Sequence, residues 1–259
     1  MDLRREDAQA LDRMVTKAAV LCGGEGTRLK PHTNNLQKTM IPVGKKGRPL
    51  LEYIVRLLAH NGIGEITLLT GYRSEQVEEY FGDGAKFGVA INYSKDAEGV
   101  KGSAQALIRA VDGGKIGTFE NLVIYYGDVL STLNIRELVA RHVERGAAVT
   151  LVLSRDYKLP VGIAQVEGDT VVSFREKPTL PLNVTVGGLV ISKDCLSALR
   201  QVTSAGGADI MTDFVPKVID QGMKVSAFYI EGFWYDVGTT EAYEKLDGEM
   251  VEANLKFLD

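Results

Sequence analysis

The stretch AAVLCGGEGTRL, residues 18–29, joins a run of apolar residues to a glycine-rich turn. The apolar run, which ends at Cys22, predicts a buried β-strand. Glycines at the carboxyl end of a strand let backbone N–H groups approach a phosphate closely. Arg28 and Lys38 bring two cations to the same turn. Bare backbone donors beside two cations suit a nucleoside triphosphate, although such a turn alone fits an ordinary strand-to-loop connection equally well.

The turn follows neither of two widespread phosphate-binding motifs. A Walker loop requires Gly-Lys-Ser or Gly-Lys-Thr at a fixed spacing, and none follows here. The dinucleotide fingerprint requires a third glycine three residues after Gly26, where this chain has Leu29. These two types of nucleotide site are therefore excluded.

Composition and charge are those of an ordinary globular protein. The 259 residues include 30 Lys or Arg and 34 Asp or Glu, a net charge of −4 without a basic cluster, so we expect no nucleic-acid partner. Two cysteines, Cys22 and Cys195, are too few for a disulfide framework or a zinc site, and Cys22 is interpreted as a packed strand residue. No apolar run reaches membrane-spanning length and the N-terminus lacks the apolar core of a signal peptide, so we expect no membrane partner and a cytoplasmic location.

Short β-rich runs alternate with amphipathic segments from Lys17 onward. The segment PLLEYIVRLLAHNG, residues 49–62, has apolar residues at helical spacing and ends in glycine, which predicts a helix. Strands that alternate with helices need crossover connections, so we expect an α/β fold with a mainly parallel sheet covered on both faces. Strands are predicted at 17–22, 65–70, 89–94, 121–127, 147–153, 185–191 and 224–230, and a helix near 209–220.

The pattern changes after residue 155. The segment GIAQVEGDTVVSFREKP, residues 162–178, has a Glu-Gly-Asp turn between two alternating runs, which predicts a hairpin. No linker rich in proline, glycine or serine divides the chain, so we predict one domain. Its parts are a polar extension at 1–16, a nucleotide half at about 17–155, a substrate half at about 156–240 and a C-terminal helix at about 239–257.

The longer string GGEGTRLKPHTNNLQKTMIPV, residues 23–43, followed by GRPLLEY, residues 47–53, resembles the signature of the sugar-phosphate nucleotidylyltransferases. Gln37 and Thr39 depart from it, because they replace the prolines that flank the family lysine, here Lys38. The resemblance covers roughly residues 17–240. It implies a Rossmann-like three-layer α/β/α fold with a mainly parallel mixed sheet, here without the C-terminal β-helix domain of many relatives.

The resemblance also implies an activity. Such enzymes transfer a nucleotidyl group from an NTP to a sugar 1-phosphate, giving an NDP-sugar and pyrophosphate (EC 2.7.7). Within the family, the chain is most similar to the glucose-1-phosphate thymidylyl- and uridylyltransferases, which favours dTTP or UTP and a glucose-like hexose. Many relatives form dimers or tetramers, so a homo-oligomer is expected from resemblance alone.

Two carboxylates stand at positions that suit a magnesium ion. Asp128 closes the run NLVIYYGD, and a carboxylate at the carboxyl end of a parallel strand lies where α/β sheets bind ligands. Asp236 lies in FWYDVGT, residues 233–239. Taken alone, Asp128 fits a turn residue and Asp236 a helix cap. The resemblance to the family motifs at both positions implies that they hold Mg²⁺, which takes its remaining ligands from water and phosphates.

The cations and the sugar-binding residues are assigned by the same resemblance. Arg28 is expected at the leaving pyrophosphate, and Lys38 at the reacting phosphates. Glu176 and Lys177 match the Glu-Lys-Pro motif, whose Glu receives sugar hydroxyls and whose Lys receives the sugar phosphate; an isolated tripeptide of this kind is more often an exposed strand end. The predicted catalytic residues are Arg28, Lys38, Asp128 and Lys177, and the predicted sugar-phosphate-binding residues are Gly162, Glu176, Lys177 and Gly188.

A base-recognition turn is expected at Gly102–Leu107. Gln105 resembles the form found in thymidylyltransferases, although an ordinary helix start fits almost as well. Asp209 is interpreted as a helix N-cap. Where many members have Asn-Ala-Gly-Leu-Tyr near the sugar, this chain has VGGLV at 186–190, so some sugar contacts must differ. The predicted nucleotide-binding residues are Leu21, Gly23, Gly24, Gly26, Thr27, Arg28, Gly102 and Gln105.

Three alternative functions were weighed against this prediction. A non-catalytic relative that binds a nucleotide-sugar and regulates a partner needs no metal-holding pair, so the presence of Asp128 and Asp236 argues against it. A guanylyl- or cytidylyltransferase acting on mannose, heptose or glucose 1-phosphate differs only in substrates. A glycosyltransferase would require an Asp-x-Asp motif, and the sequence has none.

Overall fold

The computed structural model describes residues 16–96, 101–155 and 157–258. The strands are β1 (Thr16–Cys22), β2 (Pro42–Val43), β3 (Arg48–Pro49), β4 (Glu65–Thr70), β5 (Ala90–Lys95), β6 (Asn121–Tyr126), β7 (Val129–Ser131), β8 (Val149–Ser154), β9 (Tyr157–Lys158), β10 (Ile163–Glu167), β11 (Thr170–Arg175), β12 (Thr179–Leu180), β13 (Val184–Ser192), β14 (Val225–Tyr229) and β15 (Trp234–Asp236). The α-helices are α1 (Leu50–His60), α2 (Ser74–Phe81), α3 (Ser103–Asp112), α4 (Ile135–Glu144), α5 (Leu196–Thr203), α6 (Val215–Asp220), α7 (Thr240–Lys245) and α8 (Gly248–Leu255).

Seven strands form the central sheet, in the order β14-β8-β13-β6-β1-β4-β5. Strand β13 runs antiparallel to both of its neighbours, and the other neighbouring pairs are parallel. The prediction of a mainly parallel mixed sheet is confirmed. Strand β1 lies between β6 and β4, so the loop that follows it opens at the middle of the sheet edge.

The alternation of side chains along β1 shows why the sheet is covered on both faces. Ala18, Val20 and Cys22 join one buried apolar cluster together with residues of α1 and α4. Ala19 joins a second cluster, on the opposite face, together with residues of α3, α5 and α6. Because successive strand residues point to opposite faces, one short apolar run contributes to two cores. The predicted three-layer α/β/α arrangement is confirmed.

The segment predicted as a helix at 49–62 is α1. Its apolar positions are buried, including Leu50, Leu51 and Ile54. The helix ends at His60, and Gly62 follows with a φ of 84°, a left-handed conformation that glycine adopts without steric penalty. Periodicity and the terminal glycine were therefore sufficient to place this element.

Two helical predictions need correction. The single helix predicted near 209–220 is a π-helical turn, Ile210–Phe214, that continues into α6. The C-terminal helix predicted at about 239–257 is two helices, α7 and α8. They are separate because Leu246 leaves the helical region and the Asp247 side chain accepts a hydrogen bond from the Glu249 N–H, which caps α8.

The hairpin predicted after residue 155 is present as β10 and β11. It pairs Ile163 with Arg175 and turns at Gly168, whose φ is 62°. The polar extension predicted at 1–16 lies outside the described residues except for Thr16, which begins β1. Among the described residues, no helix combines the length and apolar character needed to cross a membrane.

Candidate active site

The predicted phosphate-binding turn follows β1 at the carboxyl edge of the sheet. Leu29 anchors it, because its side chain is fully buried. The carbonyl of Gly26 accepts hydrogen bonds from Leu29 N, at 2.9 Å, and from Thr33 Oγ1, at 2.7 Å. Gly24 and Arg28, by contrast, are exposed. The turn is thus held to the core by Leu29 and by these hydrogen bonds, while Gly24 and Arg28 remain accessible to solvent.

Lys38, which lies against Gly26 of this turn, forms an ion pair with Asp128. Lys38 Nζ lies 2.5 Å from Asp128 Oδ2, although 90 residues separate them in sequence. The side chains are 14% and 24% exposed, so both charges are largely removed from solvent. Such a pair keeps its geometry better than a surface pair, because leaving either charge alone would be costly.

The two departures from the family signature position Lys38. The amide of Gln37 is fully buried, and its Oε1 accepts hydrogen bonds from the backbone N–H of Thr39, at 2.6 Å, and from the Thr39 hydroxyl, at 2.7 Å. Its Nε2 donates to the carbonyl of Cys22, at 2.5 Å. Hydrogen bonds from one side chain therefore tie the turn that carries Lys38 to the end of β1.

Asp236 joins the same group of charges. Strand β15 pairs with β7 so that Asp236 stands opposite Val129, and the N–H of Val237 donates to the carbonyl of Asp128 at 2.8 Å. Desolvation, and then the charge of Asp128, raise the pKa of Asp236, whereas Lys38 and Arg28 lower it. The four side chains Arg28, Lys38, Asp128 and Asp236 therefore form one electrostatic cluster, which we call the charge cluster.

The charge cluster fits a magnesium ion. Two neighbouring carboxylates repel each other, and this repulsion adds to desolvation, the larger cause, in raising the pKa of Asp236. No group of three or more His, Cys, Asp or Glu side chains with metal-binding geometry occurs in the part of the chain that the structure describes. A cation between Asp128 and Asp236 would therefore need further oxygen ligands from water or phosphate, which is the usual coordination of Mg²⁺.

The predicted sugar-binding residues lie at the end of the hairpin. A Cβ at Gly162 would stand 2.8 Å from Glu176 Oε2, so these two residues are adjacent. Lys177 has a φ of 44°, which is unusual for a residue with a side chain. The pKa of Glu241 on α7 is lowered chiefly by its hydrogen bond with Lys245, and the charge of Lys177 adds to this effect. The Lys177 charge is therefore near the N-terminal end of α7. This helix begins four residues after Asp236.

Gly188 lies on β13 against the core. A Cβ at this position would contact Tyr125, Val152 and Leu133, which belong to the core. Its neighbour Gly187 has a φ of 39°, and a Cβ there would stand 2.6 Å from Val129. Gly187, which the sequence analysis did not single out, is thus the glycine that lets β13 approach the residue after Asp128.

The predicted base-recognition turn is joined to the segment before α6. Gly102 has a φ of 92°, and a Cβ would stand 2.2 Å from the carbonyl oxygen of Ala208. Asp209 Oδ1 accepts from the backbone N–H of Ser103, at 2.9 Å, and from its hydroxyl, at 3.0 Å. Asp209 occupies the N-cap position of the π-helical turn before α6, as predicted, but its side chain makes no capping hydrogen bond there and is used by the first turn of α3 instead. Gln105 lines a groove between α3 and α5 together with Arg109 and Thr203.

The sequence analysis missed a third carboxylate at the sheet edge, that of Asp96. Its Oδ2 lies 3.0 Å from the point where a Cβ of Gly23 would stand and 3.3 Å from the corresponding point of Gly71. Desolvation raises the pKa of Asp96, and the positive charge of Arg109 opposes this effect. Its position directly after a strand, β5, is the signal that could have found it, since Asp128 follows β6 in a similar way.

Comparison with known proteins assigns this fold and site to a family. Residues 17–252 match the model of the nucleotidyl transferase family, and the chain belongs to it. A UTP–glucose-1-phosphate uridylyltransferase of Synechocystis sp. is 28% identical over 88% of this chain, which spans 61% of that protein's length. A glucose-1-phosphate thymidylyltransferase of Streptomyces antibioticus is 31% identical over 94% of this chain and 66% of its own length.

A third relative matches the chain over nearly its whole length. It is a D-glycero-α-D-manno-heptose 1-phosphate guanylyltransferase of Aneurinibacillus thermoaerophilus, 30% identical over 90% of this chain and 98% of its own. Two solved structures share the fold: a Bacillus anthracis protein in complex with sucrose, with a TM-score of 0.71 over 89% of this chain and 93% of its own, and HddC from Yersinia pseudotuberculosis, with a TM-score of 0.69 over 92% and 99%. At 24% and 20% identity, these two establish the fold alone.

Proposed function

We propose that this protein transfers a nucleotidyl group from a nucleoside triphosphate to a sugar 1-phosphate and releases pyrophosphate. The observation that carries the proposal is the charge cluster of Arg28, Lys38, Asp128 and Asp236 beside the glycine turn. Family membership supports it. The chain spans 61% of the length of the Synechocystis relative, so the proposal rests on this chain's own residues and family.

The reaction needs positioning and charge neutralisation more than proton transfer. An oxygen of the sugar phosphate attacks the α-phosphorus of the NTP. The bond between the α-phosphorus and the oxygen that bridges it to the β-phosphate breaks, and pyrophosphate leaves with that oxygen. A phosphate monoester has a second pKa of about 6, so its attacking oxygen is already ionised at neutral pH. The barrier lies in bringing two polyanions together and in stabilising the charge of an in-line transfer.

The residues of the charge cluster divide this task. The guanidinium of Arg28 offers a fork that suits bidentate contact with the leaving pyrophosphate, and the ammonium of Lys38 acts as a point charge at the reacting phosphates. Asp128 and Asp236 would hold Mg²⁺, which supplies a further positive charge to the phosphate oxygens when bound. Lys38 pairs with Asp128 in this structure, so it must leave that carboxylate to reach the phosphates, and Asp128 and Asp236 would then be the residues that hold the metal.

The hairpin end supplies the sugar side in this proposal. Glu176, beside Gly162, would receive sugar hydroxyls, and Lys177 the sugar phosphate. Gly188 would contact the sugar phosphate only through its backbone, because a Cβ at this position would face core side chains. Assembly into a homo-oligomer and a cytoplasmic location stay predictions from the sequence.

Two combinations of base and sugar are candidate substrates. The preference for dTTP or UTP with a glucose-like sugar rests on Gln105 and on the overall resemblance, and Gln105 lines an outer groove. A guanylyltransferase is the second candidate, because the heptose 1-phosphate guanylyltransferase is matched over 98% of its length. Both candidate enzymes catalyse the same transfer of a nucleotidyl group, so the proposal of nucleotidyl transfer does not depend on which base and sugar are bound.

The test is pyrophosphate release by the full chain with Mg²⁺, measured for ATP, GTP, CTP, UTP and dTTP against hexose, mannose and heptose 1-phosphates. We expect release with at least one pair, dependent on both substrates and abolished by EDTA. Lys38→Met is the matched variant, since it removes the charge and keeps a similar length. Binding of nucleotide-sugars without pyrophosphate release from any pair would instead support a regulatory protein and overturn the proposal.

A further inference from the structure

A pocket lies at the amino edge of the central sheet, where β6 and β8 begin; we call it the edge pocket. Its volume is about 400 Å³, which is within the range of sites that hold small molecules. Residues of β6, β13, the C-terminal part of α4 and the segment before β14 line it. Strand β6 begins at this pocket and Asp128 follows the other end of the strand, so the pocket lies roughly 20 Å from the charge cluster. It is therefore separate from the proposed active site.

Three polar side chains reach the edge pocket from the same face of the sheet. Asn121 and Ser192 stand directly opposite each other on β6 and β13, so their side chains lie on one face. Val123, two residues along β6, belongs to the apolar cluster that contains residues of α4, so this is the face that α4 covers. His142 lies on α4, and its Nδ1 is 2.9 Å from Thr150 Oγ1 on β8. The register of the strands therefore brings Asn121, His142 and Ser192 together around the pocket.

Two of these side chains carry a buried nitrogen atom that lacks a partner. Asn121 is 3% exposed and His142 is 1% exposed. Within the part of the chain that the structure describes, neither Asn121 Nδ2 nor His142 Nε2 has a hydrogen-bond partner. Buried polar groups are nearly always paired, because an unpaired one has lost its contacts with water without replacement. Both nitrogen atoms therefore indicate that the edge pocket holds a partner for them.

Thr150 determines which hydrogen His142 presents to the edge pocket. The Thr150 hydroxyl is fully buried, and among the described residues its one hydrogen-bond partner is His142 Nδ1. The hydroxyl therefore donates to Nδ1. Because burial lowers the pKa of His142 to about 4, the ring is neutral at pH 7, and its single proton is on Nε2. His142 Nε2 and Asn121 Nδ2 are thus both donors.

The charges around the edge pocket limit the charge of its ligand. Lys193 pairs with Glu120 at 2.7 Å. Lys224 and Asp194 add one further charge of each sign to the lining. The four charges cancel, so a ligand with one negative charge suits the pocket better than a phosphate dianion, because holding a second negative charge out of water needs an additional cation.

We propose that the edge pocket binds the carboxylate of a small organic acid, which accepts hydrogen bonds from Asn121 Nδ2, His142 Nε2 and the Ser192 hydroxyl. Carboxylate oxygens only accept hydrogen bonds, so they match two buried donors better than sugar hydroxyls, which also need acceptors. Hydrogen bonds to an ionised acceptor are also stronger than those to a neutral one. This inference goes beyond the proposed nucleotidyl transfer and does not depend on it.

Nuclear magnetic resonance of the histidine rings tests the proposal on the unaltered protein. The chain has three histidines, so the ring signals of His142 are identified by their loss in His142→Gln. Titration at pH 7 with sodium acetate, pyruvate and succinate should shift the His142 Nε2 signal saturably with at least one of them. The signals of His60, at the end of α1, should stay in place. No saturable shift with any of the three, or tighter binding of inorganic phosphate or glucose at equal ionic strength, would overturn the proposal.

Two variants of Asn121 test the residues of the edge pocket. Asn121→Leu removes one donor at similar volume, so the Kd of the carboxylate that binds best should rise at least about tenfold. Asn121→Asp places a carboxylate beside His142 Nε2 and should abolish binding. Asn92→Leu, an exposed position on β5, is the control and should leave the Kd unchanged. An unchanged Kd in both Asn121 variants would contradict the assignment. If neither variant folds, the titration of the unaltered protein still decides.

Discussion

Asp128 and Asp236 are two acidic residues that can bind a metal ion together because the pairing of β7 with β15 brings them close to each other. Desolvation, and then repulsion by Asp128, raise the pKa of Asp236, and the charges of Lys38 and Arg28 oppose this shift. A site with this balance attracts a divalent cation and, through the cations, phosphate groups. At the residue scale, the catalytic proposal therefore depends on partly buried charges. Each of them would destabilise the fold if it had no opposite charge beside it.

Removing either acidic charge should disable the reaction. We expect Asp128→Asn and Asp236→Asn each to lower turnover more than about a hundredfold, as for the loss of a main electrostatic stabiliser. Steady-state pyrophosphate release at saturating Mg²⁺ measures this. Circular dichroism and the unfolding midpoint show whether each variant is folded. Near-normal turnover in both folded variants would rule out the proposed metal site.

Gln37 tests whether the position of Lys38 matters as much as its charge. Gln37→Leu leaves the Thr39 N–H, the Thr39 hydroxyl and the Cys22 carbonyl without this partner inside the protein. Each unsatisfied group costs about 1–3 kcal/mol, so urea unfolding should show a loss of at least about 2 kcal/mol. Turnover should fall about tenfold if the Lys38 turn shifts by even a small distance.

The control for Gln37 restores the two family prolines. Gln37 has a φ of −63°, which proline adopts without strain. The double variant Gln37→Pro with Thr39→Pro removes the Gln37 acceptor together with both Thr39 donors, although it also loses the hydrogen bond from the Gln37 N–H to Gln76 Oε1, so it should be more active than Gln37→Leu. Equal or lower activity would show that the hydrogen bonds of Gln37 do not serve to position Lys38.

At the scale of elements, the β10–β11 hairpin is an exposed arm that ends in the predicted sugar-phosphate contact. Val166, Val171 and Phe174 are exposed on it, so little of its surface joins the two cores. Lys177 stands at its end with a left-handed backbone. A substitution at the end of the hairpin should therefore alter the contact with the sugar phosphate and leave the central sheet intact.

Lys177→Ala should separate the two substrates kinetically. Loss of the ammonium should raise the KM for the sugar 1-phosphate at least about tenfold, since a charged hydrogen bond contributes about 1.5–3 kcal/mol. The KM for the nucleotide should change less than about threefold. Lys177→Arg keeps the charge and should fall between the variant and the unaltered protein. Equal changes in both KM values would contradict a role on the sugar side.

At the scale of the whole molecule, His142 links stability to pH. Its side chain is 1% exposed on α4, and its Nδ1 lies 2.9 Å from Thr150 Oγ1 on β8. Desolvation lowers its pKa from 6.5 to about 4. The unfolded chain therefore takes up a proton below pH 6.5 while the folded protein does not.

The free energy of unfolding should accordingly fall as the pH is lowered from about 6.5 to about 4, by about 3 kcal/mol from this group. Above pH 6.5 the contribution is fully present and does not vary. Urea unfolding across this range measures the slope. His142→Gln should flatten it, whereas His60→Gln, at the exposed end of α1, should not. A slope that survives His142→Gln would refute the assignment.

Local patterns predicted the larger elements and failed where long-range contacts decide. The apolar periodicity of α1 and the β-rich runs were sufficient, because each element buries a face that its own sequence defines. The split into α7 and α8 was missed, since it depends on a cap at Asp247 within an otherwise helical pattern. The role of Asp209 was missed because its hydrogen-bond partner, Ser103, lies in a distant element.

By itself, the sequence determined the α/β class, the glycine turn after β1 and the family, since each of these is written in neighbouring residues. Only the tertiary structure decided that Lys38 meets Asp128 across 90 residues, that Gln37 holds the turn between them, and that Asp96 lies over Gly23. The physical reason is that the order of strands in a sheet, which no local pattern encodes, determines which loops share an edge.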